Sequence, residues 1–324
     1  MDIPEIYELF NRYARIVTDT REDLRDSIFF ALRGERFDGN RYAAEALKKG
    51  ARYAVVDEPG IAHGEQYILV EDSLSALQQL AAFHREKLSI PVLAITGSNG
   101  KTTTKELTDE ILSSIFRVRS TPGNLTNHIG VPLTVLMMDS NTDLGIVEMG
   151  ANHPGEIKFL CSIARPDYGL ITNVGEAHLE GFGSLEGVKK TKAELYDFLG
   201  ENGGLIFCNA GDPDLREMVK GRDAGISWYG QGEETVCSAE VLSSDPVLSL
   251  RLNFRDERQI DVTTGLAGAY NLENITAAAA IGLHFRIPPG EIAGSLQGWS
   301  SDNNRSQRIE TGNNTLIMDA YNAN

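Results

Sequence analysis

Cysteine is scarce in this sequence: there are three, Cys161, Cys208 and Cys237, in 324 residues. They are odd in number and far apart, and no pair has metal-ligand spacing. They therefore read as buried thiols in a reducing cytoplasm. Long hydrophobic runs are lacking too. The longest, Ile129–Met138, is about half of a membrane span, so no membrane insertion is expected. The opening stretch MDIPEIYELFNRYAR is charged throughout, which excludes a secretory signal. Positive charge is in short supply, with 30 Lys and Arg against 46 Asp and Glu and a net charge of −16. A chain this acidic repels phosphate backbones, so nucleic acid is not expected as a partner. A local anion pocket stays open, because backbone amides and a helix terminus bind phosphate without a basic surface. There are no internal repeats and no low-complexity tract. The remaining balance, 41% hydrophobic and 23% charged, is that of an ordinary soluble globular protein. At roughly 100–200 residues per domain, the length implies two domains or three.

Apolar and polar residues alternate in a way that predicts an α/β fold. An amphipathic stretch (Ile3, Ile6, Leu9, Phe10) leads to RIVTD, then to the apolar run Ile28–Leu32, the helix AAEALKKG, the strands Tyr53–Val56 and YILVE, and a helix from Ser73 to about Lys87. Ser89-Ile90-Pro91 breaks this pattern, placing a first domain at 1–89 and a central one at 90–312. In the central stretch Val92–Thr96, Leu144–Met149, Tyr168–Thr172 and Leu205–Cys208 are continuous apolar runs, as in a parallel sheet covered by helices on both faces. Between about 225 and 264 the strands ISWYG, VLSLRLNF and RQIDVTT alternate, more like a small antiparallel flap. Asn271–Phe285 is alanine-rich and helical, and TLIMD is a strand near the end.

The sharpest local signal is Ala94-Ile95-Thr96-Gly97-Ser98-Asn99-Gly100-Lys101-Thr102-Thr103. A strand enters, glycines allow a tight turn with inward N–H groups, and a helix leaves from Lys101. That builds an anion nest on a helix N-terminus, with a lysine for the outer phosphates and a hydroxyl for Mg²⁺. The full P-loop pattern wants glycine at position 95, where this chain has Ile95. A glycine turn with a solvated lysine is the plainer alternative.

TGSNGKTTTK resembles the nucleotide loop of the Mur ligases, ATP-dependent amide ligases of peptidoglycan assembly. GNLTNHIGVPLTVL, VEMGANHPGEI, LITNVGEAHLEGFGS, GVKKTKAELYDF, GAYNLENITAAAA and DAYNAN follow in the order expected of the branch that adds D-alanyl-D-alanine. The stretch TDTREDLRDSIFFALRGERFDGNRYAAEAL is similar to the uridine-nucleotide domain of that branch. The resemblance covers essentially the whole chain. It implies a cytoplasmic, monomeric enzyme that uses ATP and Mg²⁺ to join D-alanyl-D-alanine to UDP-N-acetylmuramoyl-tripeptide through an acyl phosphate, leaving ADP and phosphate.

The resemblance also assigns residues. Gly97, Ser98, Asn99, Gly100, Lys101, Thr102 and Thr103 would hold the phosphates, with Thr102, Glu148, His178 and Lys192 on magnesium. Glu148 closes an expected strand, where parallel-sheet proteins place their sites, and a capping or salt-bridge glutamate is the alternative. Lys192 would be the family's carbamylated lysine. At a pKa of ~10.4 its neutral form costs about 4–5 kcal/mol at pH 7, so only a site that gains from the anion could offset it. Otherwise KKTKAELY is a solvated helix face. Asn127, beside His128, resembles a residue lining the γ-phosphate, or else forms a turn. Asn271 and Asn274 share a helix face and would meet adenine, although Asn271 also suits an N-cap. Arg308, with Arg305 competing, and Asp319 would reach the phosphates and ribose. Thr20, Arg21, Arg33, Gly34 and Asp38 would hold the uridine diphosphate, or the two arginines are ion-pair partners.

Three alternatives stay open: the tripeptide-forming Mur ligase, a folylpolyglutamate synthase, and a scaffold that binds ATP without ligating. Residues 313–324 read as the start of a third domain of the family that closes over ATP. The expectation is therefore that the 324 residues alone bind ligands but turn over below detection.

Overall fold

Parallel strand pairing organises the chain. The computed structural model describes residues 1–175, 179–301, 307–312 and 314–318. Contacts divide it into two compact units, Met1–Ser89 with Thr121–Asn141 and Ser162–Arg165, and Ile90–Ser120 with Thr142–Cys161 and Pro166–Asn324. The segment Thr121–Asn141, which sequence reading placed inside the central domain, thus packs with the N-terminal residues.

The first unit is built on β1 (Ile16–Val17), β2 (Ile28–Phe30), β5 (Tyr53–Val56) and β6 (Tyr67–Leu69), all parallel in the order β1-β2-β5-β6. Between them β3 (Arg33–Gly34) and β4 (Phe37–Asp38) make a small hairpin. Phe29, Ala31, Ala54 and Val56 join Val17, Leu24, Ala43 and Ala46 in one buried cluster. The helix Ile3–Tyr13 starts on a capping box, in which Asp2 and Glu5 satisfy each other's backbone amides. In the helix Ser73–Lys87, His84 Nε2 lies 2.7 Å from Met138 O, and Arg85 Nε donates to Ala164 O at 2.8 Å. These side chains carry the bonds that hold the two outlying segments in this unit.

The second unit holds a six-stranded parallel sheet. Its strands are β7 (Val92–Thr96), β8 (Val118–Ser120), β9 (Leu144–Glu148), β10 (Tyr168–Ile171), β11 (Leu205–Asn209) and β12 (Gly225–Tyr229), in the order β12-β11-β10-β7-β9-β8. After β7 the chain runs to one side for β8 and β9 and to the other for β10. The C-terminal end of β7 is therefore a topological switch point, where open α/β sheets bind ligands. β7 and β9 are buried along their whole length, as a covered parallel sheet requires.

ISWYG is corrected here. It is not part of the flap but the edge strand β12, parallel to β11. Only one of its five residues is buried and two are exposed, the partial burial of a sheet edge. The flap is instead β13 (Cys237–Ser243), β14 (Ser249–Phe254) and β15 (Gln259–Thr263), an antiparallel meander. Its inner residues Leu250, Leu252 and Phe254 join the core with the alanine-rich helix Asn271–His284. β16 (Gln307–Glu310) and β17 (Thr315–Met318) pair antiparallel. Among the described residues, no helix is long and apolar enough to cross a membrane.

Candidate active site

Two glycines shape the loop between β7 and the helix Lys101–Ser113. Gly97 has φ 145° and Gly100, the helix N-cap, has φ 79°. A Cβ at Gly97 would collide with Thr172 Oγ1, and one at Gly100 with Asn274 Oδ1. Both the backbone angle and the close approach demand glycine. The end of β10 pins the loop from behind. Ser98 N donates to Asn173 O and Asn99 N to Asn173 Oδ1, both at 3.0 Å, while Thr172 Oγ1 donates to Asn99 O at 2.6 Å. Ser98 Oγ accepts from Gly175 N at 2.9 Å. Lys101 Nζ reaches back to Gly97 O and Ser98 O at 2.9 and 3.0 Å, so its charge sits over the nest. Gly100→Ala is expected to weaken ADP binding at least tenfold, read by calorimetry, because one methyl must displace both the loop and Asn274.

Parallel register carries the next residue into place. Glu148 ends β9 level with Ile95 of β7, one strand over from the loop. It is 2% exposed, and its Oε1 accepts from Thr102 Oγ1 at 2.9 Å. A loop hydroxyl bonded to an acid at the end of the neighbouring strand is the arrangement with which P-loop NTPases hold Mg²⁺. Thr103 is buried on the first turn of the same helix.

Lys192 is not on a solvated face. The helix Leu185–Asn202 buries a stripe through Val188, Leu195 and Leu199, and Lys192 falls within it, 3% exposed. Its Nζ lies 5.9 Å from the Phe182 ring centroid. Burial lowers its pKa to about 7; the Lys101 charge adds to this, and Glu156 and Glu194 oppose it. Burial thus favours the neutral amine that the resemblance asks for at this position.

Asn271 and Asn274, expected at adenine, bond to each other and to the helix that follows the loop. Both are buried, with Asn274 Nδ2 donating to Asn271 Oδ1 and Thr104 Oγ1 donating to Asn274 Oδ1, each at 3.1 Å. Asn271 Nδ2 donates to Ala267 O at 2.9 Å, and the N-cap is Tyr270. The pair braces the loop at Gly100. Asn127 forms a turn, its Oδ1 accepting from Ile129 N and Gly130 N at 3.1 and 3.0 Å. His178 and Asp319 lie outside the described residues, as does the competing Arg305; Arg308 falls on β16, its side chain outside them as well. Among the described residues, no three of His, Cys, Asp and Glu are grouped as a metal site.

In the first unit a cavity of about 490 Å³ is lined by Thr18, Asp19, Thr20, Arg21, Phe29, Phe37 and Tyr42. The rings of Phe37 and Tyr42 stack at 6.2 Å and both are half exposed, an apolar platform beside a cation. Arg21 pairs with Asp19 but stays 88% exposed, so solvent screens the pair and its guanidinium is open to an anion. Arg33 is held harder. Its Nε donates to the partly buried Asp57 at 2.8 Å, which also accepts from Asn40 Nδ2 and Ser73 N, so Arg33 is ion-paired here. Gly34 pairs with Phe37 in the hairpin, and Asp38 Oδ1 accepts from Asn40 N at 3.1 Å.

Thr172, Asn173 and Asp57 have no local signature in the sequence, since their contacts span up to 76 residues. Only their position just after an apolar run could have marked them.

Comparison with known proteins agrees with this geometry. Residues 95–282 match the Mur ligase middle domain, and residues 13–85 match the Mur ligase family, catalytic domain. The UDP-N-acetylmuramoyl-tripeptide–D-alanyl-D-alanine ligase of Bacillus subtilis is 36% identical over 317 residues, which is 95% of this chain and 67% of that protein. The crystal structure of MurF from Acinetobacter baumannii superposes with a TM-score of 0.83 at 33% identity, covering 96% of this chain and 68% of the other. That of Thermotoga maritima MurF in complex with ADP gives 0.83 at 29%, covering 95% and 71%. The chain thus spans about two thirds of the length of these relatives, and it belongs to the Mur ligase family.

Proposed function

We propose that the protein carrying this chain joins D-alanyl-D-alanine to UDP-N-acetylmuramoyl-tripeptide at the expense of ATP, in the cytoplasm where these precursors are made. The observation that carries this reading is the hydrogen bond from Thr102, on the first turn after the phosphate loop, to Glu148 at the C-terminal end of the neighbouring strand. The names of the relatives supply the substrates.

Hard oxygen donors suit Mg²⁺, and Thr102 and Glu148 offer a hydroxyl and a carboxylate. Lys192 fits once its neutral Nζ adds to CO₂. The N–C bond forms, the amine proton leaves to solvent, and an anionic oxygen ligand results. His178 is the family's further candidate. When bound, Mg²⁺ would neutralise phosphate charge. The loop amides and Lys101 hold the β- and γ-phosphates in line with the substrate carboxylate. One carboxylate oxygen forms the new O–P bond as the bond to ADP breaks, giving an acyl phosphate. The amine of D-alanyl-D-alanine then forms the C–N bond, loses its proton and expels phosphate. Chemistry of this kind depends on positioning and electrostatics, which a rigid loop provides. The cavity at Arg21, Phe37 and Tyr42 would take the uridine nucleotide.

The test is incubation of the full-length protein with ATP and both substrates. The expected product is the UDP-linked pentapeptide with one ADP per bond, read by mass spectrometry. Turnover with a single amino acid and none with the dipeptide would assign the tripeptide-forming ligase. ATP binding with no ligation would leave a scaffold.

A further inference from the structure

The helix that buries Lys192 carries a carboxylate, Glu194, which the reaction above does not use. Glu194 stands two residues further on and reaches the start of the helix Glu156–Ala164. Its Oε1 accepts from Gly155 N at 2.7 Å and its Oε2 from Lys158 N at 2.8 Å, across 39 and 36 residues of sequence. Both bonds are short and charge-assisted, roughly twice as strong as neutral ones. They place an anion where a helix N-terminus favours one.

The gripped backbone closes the turn that begins directly after Glu148. Glu156 ties the same turn from within, its Oε2 accepting from Asn152 N and His153 N at 2.6 and 3.1 Å. On the other side, a Cβ at Gly181 would collide with Asn152 O, so the turn also packs against the helix Leu179–Phe182. Phe182 of that helix is the ring beside Lys192 Nζ. The exit of β9 and the middle of the lysine-bearing helix are therefore joined by Glu194 and by this packing.

We propose that Glu194 is a positioning residue, which fixes the turn leaving Glu148 against the helix of Lys192 and so sets the spacing of carboxylate and lysine. The assignment rests on the ligase reading. Glutamine at 194 keeps one acceptor and turns an N–H₂ toward a backbone N–H. Aspartate keeps both oxygens but is one methylene short.

The experiment uses full-length wild type, Glu194→Gln and Glu194→Asp. For Glu194→Gln the expected result is a fall in kcat of about 10–100-fold, as for other residues that orient metal ligands. The Mg²⁺ concentration for half-maximal rate should rise several-fold, with KM for the UDP substrate within about twofold. Glu194→Asp should lie between it and wild type, and it decides the matter if the glutamine variant does not fold. A variant with wild-type kcat and Mg²⁺ midpoint per folded molecule, whatever its melting temperature, overturns the proposal. Hydrogen exchange at Gly155 and Lys158, slow in wild type and faster in the variants, reads the contact without turnover. Unchanged exchange there also overturns it. Failure of wild type to ligate while these amides remain protected would count against the ligase reading and leave the contact standing.

Discussion

Glu148→Gln in the full-length protein is expected to lower ligation by about 10³-fold while leaving its melting temperature and its affinity for the UDP substrate close to wild type. Glutamine is nearly isosteric and keeps an acceptor for Thr102 Oγ1, so the loop and β9 stay joined. What is lost is one negative charge in a position that is 2% exposed. A bound metal contributes several kcal/mol of charge stabilisation at a transferring phosphoryl group. A factor of 10³ corresponds to about 4 kcal/mol. Thr102→Ala removes a neutral donor and should cost less, about tenfold. Steady-state rates across a Mg²⁺ titration check both. If Glu148→Gln turned over as fast as wild type, Glu148 would be a structural acceptor for Thr102 and nothing more.

Lys192→Met is expected to abolish ligation and at the same time stabilise the protein. Methionine fills the same stripe between Val188 and Leu195 without a charge to bury. Replacing buried charge by apolar side chains of similar volume commonly stabilises by about 1–4 kcal/mol. The sign of the pH dependence follows from the lysine. Its folded pKa is about 7 and the ordinary value is 10.5, so between these limits the unfolded chain holds a proton that the folded chain has released. Stability of wild type should therefore rise with pH across that window, with the full burial cost present below pH 7. In Lys192→Met this contribution to the slope disappears. Urea denaturation in bicarbonate-free buffer at pH 7 and pH 9 measures it. A variant less stable than wild type at pH 7 would mean that the lysine is held by favourable contacts and not merely tolerated.

The sequence reveals the loop better than its surroundings. Gly97, Gly100 and Lys101 are adjacent in the chain, and the strand before them is apolar throughout, so turn chemistry and periodicity suffice. Glu148 is legible for a similar reason, as the polar residue at the end of a buried run. Lys192 is not legible from its neighbours. Three lysines within four residues read as a wet face, and only the stripe through Val188, Leu195 and Leu199 separates the buried one. Asn271 and Asn274 are legible only in part. Their shared face is correctly read, but what that face meets is Gly100 and Thr104, about 170 residues earlier in the chain. ISWYG belongs to the parallel sheet and not the flap, and it is hard to place because an edge strand lacks the continuous burial of the inner strands. Local periodicity fixes element type, while long-range pairing decides which side chains become a site.

The most direct test of the account follows oxygen from substrate to product. Full-length protein is supplied with ATP, D-alanyl-D-alanine and UDP-N-acetylmuramoyl-tripeptide labelled with ¹⁸O in its terminal carboxylate. If that carboxylate attacks the γ-phosphorus, the inorganic phosphate released must carry one ¹⁸O atom per peptide bond formed. Unlabelled phosphate, with the displaced ¹⁸O recovered in water or in another product, would contradict the acyl-phosphate route and with it the role assigned to the phosphate loop.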